Sequence, residues 1–300
     1  MVGCTASGKS AAALEIARHL GDVEIVTADS MQVYRGMDIG TAKPSGAERA
    51  EVPHHLIDLV DPAEAWALTD WVAAAREAVA GIDRRGHRAL LVGGTPLYVR
   101  ALIDGFTPPG RYPEVRADLE AEVGTGGEGA VARLHRRLGE VDPLAASRME
   151  PTNRRRVIRA LEVTLGSGTP FSQTGPGIAA HPPTRWRLTG LWLPRAVVAG
   201  RIERRFAAMV DAGLVAEVAG LVATGMGRTA RQALGYREVL SHLEDGVALA
   251  AALDQAVRRT RAFARRQRMW WRRDPRMAWL GTSENPLAVV PTLLRDWTEP

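Results

Sequence analysis

The sequence predicts an α/β fold: a P-loop NTPase-like parallel sheet core carrying a helical insertion domain. Three observations point there. Gly3-Cys4-Thr5-Ala6-Ser7-Gly8-Lys9-Ser10 is a complete G-x-x-x-x-G-K-[ST] loop that runs straight into an amphipathic stretch. Short apolar runs at 23–27 and 89–92 alternate with helical periodicity at 9–20 and 68–82. After Thr107-Pro108-Pro109-Gly110 the pattern becomes helical, and strand character returns only at 187–193.

In chain order, residues 9–20 read as a helix and 23–27 as a short strand. Residues 28–53 form a loop-rich stretch punctuated by Gly36, Gly40, Pro44 and Gly46. Residues 68–82 read as a helix with Thr69 or Asp70 as its cap. Residues 89–92 form a buried strand ended by Gly93-Gly94. Residues 114–165 are mostly helical, broken at 124–129, and 167–183 form a Gly/Pro/Ser/Thr loop. Residues 196–273 are helical again, with breaks near Gly213, Gly225-Met226-Gly227 and Gly246. A last strand at 278–280 precedes a short terminal helix. The division is therefore a P-loop core with basic C-terminal helices at 1–106 and 185–300, and a helical insertion at 107–184. A P-loop follows a strand, which usually runs about five or six residues. Only Met1 and Val2 precede Gly3, so the expectation is an apolar, β-branched run encoded upstream of Met1.

Hydrophobic residues make up 46% of the 300, an ordinary globular share that excludes a disordered chain. No apolar run approaches the roughly 20 residues of a membrane helix, so no membrane partner is expected. Cys4 is the only cysteine, which excludes an internal disulfide and fits a cytoplasmic address; it reads as loop filler. The net charge is +5, and its distribution carries the information. Between 258 and 276 nine arginines face one acid, Asp274, where a solvated helix face would mix signs. Nucleic acid is the leading explanation of that block and solubility the plain one. Of the 39 Lys and Arg residues only Lys9 and Lys43 are lysine, which marks two places needing a compact ammonium in place of a planar fork.

The glycines of the P-loop turn backbone N–H groups toward a phosphate, and the helix that follows adds its positive end. Lys9 supplies a point charge, and the Ser10 hydroxyl is placed to hold Mg²⁺. The motif specifies phosphate without specifying ATP. A kinase needs a second, metal-holding acid at a strand end. Here 89–92 runs into Gly93-Gly94-Thr95, which offers close approach and a hydroxyl but no carboxylate. Asp29, just after the 23–27 strand, fits two readings: a carboxylate at the ligand crevice, or a turn former. His54-His55 lacks ligands at metal spacing and reads as structural. Trp270-Trp271 reads as core packing before base stacking. Arg154-Arg155-Arg156, extended by Arg159, reads as RNA backbone contact or a solvated face.

Seven segments in order, GCTASGKS, ADSMQVYRGMDIGTAKP, VPHHLID, VGGTPLY, RRRVIRALEV, GRIERRF and QALGYRE, make the chain similar to tRNA dimethylallyltransferases, the bacterial isopentenyl-tRNA transferase family. The likeness spans nearly the whole chain. It implies that Gly3, Thr5, Ala6, Ser7, Gly8, Lys9 and Ser10 grip the diphosphate of dimethylallyl diphosphate with Mg²⁺, and that no ATP is consumed. It places the arginine side of that grip on Arg201 and Arg205. It implies that Asp29 is the general base toward an adenine N6 amine, and that Thr95 contacts both the diphosphate bridge and the target nucleotide. The tRNA path falls on Asp29, Ser30, Met31, Gln32, Thr95 and Arg116, on Arg155, Arg156, Val157, Ile158 and Arg159, and on Gln232, Gly235, Tyr236 and Arg237. The target implied is the adenosine 3′-adjacent to the anticodon, reached by base flipping, with the anticodon stem-loop as partner and a monomer sufficing. Two alternatives are a free-nucleotide (adenylate) isopentenyltransferase, which shares the P-loop core, and a P-loop small-molecule kinase.

Overall fold

Continuous apolar strands are what a parallel sheet covered on both faces demands, and they set the architecture. The computed structural model describes residues 1–175, 177 and 180–298. It divides into one unit of Met1–Asp104 with Pro183–Pro300 and a second of Gly105–Pro182.

In the first unit, β1 (Val23–Ala28) is buried along its whole length. It pairs in parallel with β2 (His54–His55) on one side and β3 (Arg88–Gly93) on the other. A second parallel pair is β4 (Thr189–Trp192) with β5 (Ala278–Gly281). Val2 joins the two, pairing in parallel with both Gly93 and Gly190. Its N–H donates to Thr189 O at 2.8 Å, and its carbonyl accepts from Leu191 N at 2.8 Å. Because all strands run one way, Gly3, Asp29 and Gly94 follow the ends of adjacent strands and share one rim.

Helix α1 (Lys9–Leu20) packs Ala12, Ala13, Ile16 and Ala17 onto β1 and β3, and Val290 and Leu293 of a terminal helix join the same core. Six residues, Gly46–Glu51, form the short α2 inside the stretch expected to be loop. The Ser45/Glu48 capping box closes its first turn. Helix α3 spans Leu68–Arg84 with Ala67 as its N-cap residue, not Thr69 or Asp70. Asp70 stands at the third helical position and accepts from Ala67 N at 2.9 Å. Helix α4 (Pro96–Ile103) starts directly after β3 and Thr95.

The second unit is helical: α5 (Pro113–Thr125), α6 (Ala130–Val141), α7 (Pro143–Ser147) and α8 (Arg154–Ser167). Leu119, Leu134, Leu138, Val157, Ile158 and Leu161 form its core. The buried carboxylate of Glu162 gathers Tyr112 N (3.0 Å), Arg116 (3.2 Å) and Arg159 (2.7 Å). Positions 176, 178 and 179 of the loop expected at 167–183 lie outside the described residues.

Back in the first unit, α9 (Arg195–Asp211), α10 (Leu214–Thr224), α11 (Tyr236–Asp245) and α12 (Leu249–Trp271) follow β4, and α13 (Val290–Thr298) follows β5. Among the described residues no single helix is long and apolar enough to cross a membrane.

At the rim opposite Asp29, Glu24 anchors the start of β1. Arg85 donates to it twice (2.9 and 2.7 Å), and His55 and His87 lie at 2.6 and 2.8 Å. The Arg85 bonds, followed by those of His55 and His87, outweigh burial and hold its carboxyl at about 2. That lies below the ordinary Glu value of about 4.3. The stabilisation is therefore present above about pH 5 and lost as pH falls toward the folded value. Glu24→Gln is expected to lower the melting temperature at pH 7, by about 2–4 kcal/mol of stability. Thermal melts from pH 7 to 2.5 should show the gap between variant and parent closing in acid; a constant gap rules out the ionic role.

Candidate functional site

The P-loop reaches its shape through contacts from two distant helices. Ala6 and Gly8 both have positive φ, 60° and 83°, which turn the chain so that α1 begins with its first N–H groups directed outward. Thr5 N donates to Gln267 Oε1 of α12 at 2.8 Å, and Gln267 Nε2 donates to Gly94 O at 2.5 Å. From α9, Arg201 Nε donates to Ala6 O at 2.9 Å, and Arg205 reaches Thr5 Oγ1 at 3.5 Å. Four residues apart, the two arginines share one helix face. At the end of β3 there is no room for side chains: a Cβ on Gly93 would stand 2.2 Å from Ala28 O, and one on Gly94 2.5 Å from Gln267 Nε2.

Charge at this rim is unbalanced. Burial pushes the Lys9 ammonium below its usual value; Asp29 pulls it back up, and Arg205 presses in the same direction as burial. Burial likewise lowers Arg205, opposed by Asp29. Lys9 makes no hydrogen bond or ion pair to the described residues. Lys9 and Arg205 thus share Asp29, and Arg201 adds a third cation at the same loop through Ala6 O, an arrangement that a polyanion completes. Cys4 is a buried, free loop cysteine; burial raises its thiol, with Lys9 and Arg268 opposing.

Asp29 does form a turn, its Oδ1 accepting from Met31 N at 2.8 Å. Its second oxygen has no partner among the described residues and lies on the same rim as Lys9. Thr95 sits at the N-cap of α4 without using its side chain to cap, and its N–H donates to Ala28 O at 3.3 Å. Among the described residues no group of three or more His, Cys, Asp or Glu is arranged to hold a metal. Ser10, exposed at the second position of α1, offers a hydroxyl beside the loop.

The loop after Asp29 is tied internally. Lys43 Nζ donates to Tyr34 O (2.5 Å), Asp38 Oδ1 (2.6 Å) and Asp58 Oδ1 (2.5 Å), with its side chain 2% exposed. Three acceptors around one nitrogen suit an ammonium and not a planar guanidinium. The two lysines therefore differ in kind: Lys43 is saturated by the fold, whereas Lys9 is left open.

Of the residues expected along an RNA path, Ser30 and Met31 are half-buried beside Asp29, and Gln232 and Arg237 are exposed near the start of α11. Arg155 and Arg156 are exposed on α8 in the second unit. Four of these groups have structural partners in the fold. Val157 and Ile158 are 0% and 1% exposed, so their side chains belong to the core of the second unit. Arg116 and Arg159 are engaged by Glu162, which gives them a structural task. Tyr236 is fully buried, and its hydroxyl donates to Glu217 at 2.6 Å. The arginine block is less free than its sign count implied. Arg259 pairs with Glu238, Arg261 with Glu203, and Arg276 with Asp104 and Asp274. Arg268 donates to Leu193 O and lies 3.6 Å over the Trp192 ring. Arg258, Arg265, Arg266, Arg272 and Arg273 remain exposed. Trp271 is buried, and His54-His55 bond to Val52 O and Glu24. Gln267 and Glu217 were missed; nothing in one sequence marks a polar residue whose partners lie about 170–260 positions away.

A family model described as IPP transferase matches residues 32–274. The tRNA dimethylallyltransferase of Geobacter metallireducens is 46% identical over 282 residues, covering 93% of this chain and 90% of that protein. That of Salinispora arenicola is 47% identical over 291 residues, covering 96% and 83%. Among solved structures, the tRNA isopentenylpyrophosphate transferase of Bacillus halodurans is 37% identical with a TM-score of 0.71, covering 99% of this chain and 93% of that one. A eukaryotic dimethylallyltransferase acting on tRNA, 23% identical with a TM-score of 0.79 over 98% and 76%, shares the fold.

The contrast between the lysines is testable by one substitution made twice. Lys43→Arg should cost about 1–3 kcal/mol of stability, because a larger, planar group enters a filled three-acceptor site. Lys9→Arg should melt like the parent yet bind inorganic diphosphate at least tenfold more weakly, about 1.4 kcal/mol. Melting curves and calorimetric titration read both; equal behaviour of the two variants contradicts the distinction.

Proposed function

We propose, for a chain that belongs to the IPP transferase family, that it transfers the dimethylallyl group of dimethylallyl diphosphate to the N6 amine of the adenosine 3′-adjacent to the anticodon in tRNA, releasing diphosphate. The single observation that carries this reading is the cation excess at the P-loop, with Asp29 the one carboxylate among the described residues that acts on Lys9 and Arg205. An exocyclic adenine amine is a weak nucleophile, so the reaction depends on stabilising what departs. The allylic C–O bond breaks, its electron pair leaves with the diphosphate, and the amine nitrogen bonds to the carbon. Lys9, Arg201, Arg205 and the outward N–H groups of the loop supply fixed positive charge where negative charge collects. The unpartnered oxygen of Asp29 accepts the proton as the amine becomes cationic. The Thr95 hydroxyl, unused by α4, is free to bond the diphosphate bridge or the target nucleotide.

Ser10, exposed at the second position of α1 beside the loop, offers the hydroxyl that would hold a Mg²⁺ ion. Bound there, it would neutralise charge on the diphosphate. The small-molecule kinase loses ground because β3 ends without an acid, and the free-nucleotide enzyme because the relatives of high coverage act, by name, on tRNA. We place the protein in the cytoplasm, where tRNA is met, as a monomer without membrane attachment.

Incubation with dimethylallyl diphosphate, Mg²⁺ and tRNA, without ATP, should add one five-carbon unit to one anticodon-loop adenosine, read by mass analysis of nuclease fragments. Asp29→Ala should slow single-turnover transfer by roughly 10²–10⁴-fold while tRNA affinity stays close to the parent's. ATP turnover without prenylated tRNA defeats the function, and a near-normal Asp29→Ala rate reduces Asp29 to its turn.

A further inference from the structure

Glu217 on α10 lies outside the diphosphate cage, yet it is among the most heavily engaged carboxylates of the first unit. Its Oε2 accepts from Asp38 N at 3.0 Å and Ile39 N at 2.7 Å. Its Oε1 accepts from Gly40 N at 3.2 Å and the Tyr236 hydroxyl at 2.6 Å. Three consecutive backbone N–H groups converging on one anion form a nest of the kind that otherwise binds phosphate. Here the fold fills it with its own side chain. Burial, followed by the Glu217 bond and charge, raises the Tyr236 hydroxyl well above its ordinary range, so it remains a donor.

The two segments gathered on this carboxylate both fall on the tRNA path that the proposed function uses. The nest belongs to the loop that begins at Asp29. Gln32 Nε2 donates to Thr41 O (3.0 Å) and Ala42 O (3.2 Å), directly beyond the nest, which ties 38–40 to the segment that begins at Asp29. Tyr236 opens α11, flanked by Gly235 and the exposed Arg237. The packing leaves no slack: a Cβ on Gly40 would stand 2.4–2.6 Å from the Tyr236 ring and 2.8 Å from its hydroxyl. No residue of the diphosphate cage (Thr5, Lys9, Arg201, Arg205 or Gln267) bonds to Glu217.

We infer that Glu217 is a positioning residue for tRNA, a carboxylate latch that holds the Asp29–Gln32 segment in register with the Gly235–Arg237 segment while leaving diphosphate binding independent. The inference rests on the tRNA reading above. Glu217→Gln keeps the side-chain shape but replaces one acceptor oxygen by a donor, so two of the four donors lose their partner. Misplacement of a reacting group by about 1 Å costs roughly a hundredfold.

The test uses the full chain and four readouts: affinity for an anticodon stem-loop RNA, affinity for inorganic diphosphate, single-turnover transfer, and melting temperature. For Glu217→Gln, RNA affinity and transfer should fall together by about 10–100-fold, with diphosphate affinity unchanged. Gly40→Ala should reproduce that split. Tyr236→Phe, which removes one donor, should give a smaller loss that is non-additive with Glu217→Gln, since both act through one carboxylate. Unchanged RNA affinity and transfer overturn the inference, as does a parallel loss of diphosphate affinity, which marks general loosening. Parent protein that binds no RNA defeats the tRNA reading and this inference with it; parent binding with unaffected variants defeats the latch alone.

Discussion

One buried amide, that of Gln267, holds the phosphate loop against the end of its neighbouring strand, and the rest of the site depends on that bridge. It accepts from Thr5 and donates to Gly94, and is 4% exposed. Without it a loop N–H and a strand-end carbonyl would be left unpaired, at about 1–3 kcal/mol each. Arg201 adds a second support through Ala6 O. Catalysis by stabilising a leaving group needs donors fixed before the charge appears, because reorganisation at that moment consumes the gain. Helices α9 and α12 therefore serve the chemistry as scaffolding from sequence positions that look unrelated to it.

The electrostatic design separates two tasks that use the same residue types. Where a charge must stay available, as at Lys9, the fold sets it beside Arg205 and the carboxylate of Asp29. Where a charge must hold structure, each charged group is matched: Lys43 by three oxygens, Glu24 by an arginine and two histidines, Glu162 by a backbone amide and two arginines. Satisfied networks fix geometry, and the open cluster waits for substrate.

Legibility in the sequence followed the range of the interaction. The P-loop, the strand alternation and the breaks at glycine are local, and each could be read from neighbouring residues. The lone lysines could be read too, because an arginine-biased chain makes an exception conspicuous. Val157 and Ile158 stand at helical spacing from Leu161, and that periodicity marks the core face on which their side chains lie. The arginine block was overcounted because its acids lie elsewhere in the chain: Glu203 and Glu238 upstream, and Asp104 much farther away. Gln267 and Glu217 had no local signal at all, since a polar side chain on a helix looks the same whether it meets water or a loop from the other end of the chain.

The preorganised loop is tested most directly by the affinity of the Gln267→Leu protein for inorganic diphosphate, measured by calorimetry with a melting curve on the same sample. Leucine keeps the bulk of the side chain and removes both hydrogen bonds. The expected result is a folded protein whose diphosphate affinity is at least tenfold lower, about 1.4 kcal/mol. Parent-like affinity would contradict it, showing that the loop holds its shape without the bridge.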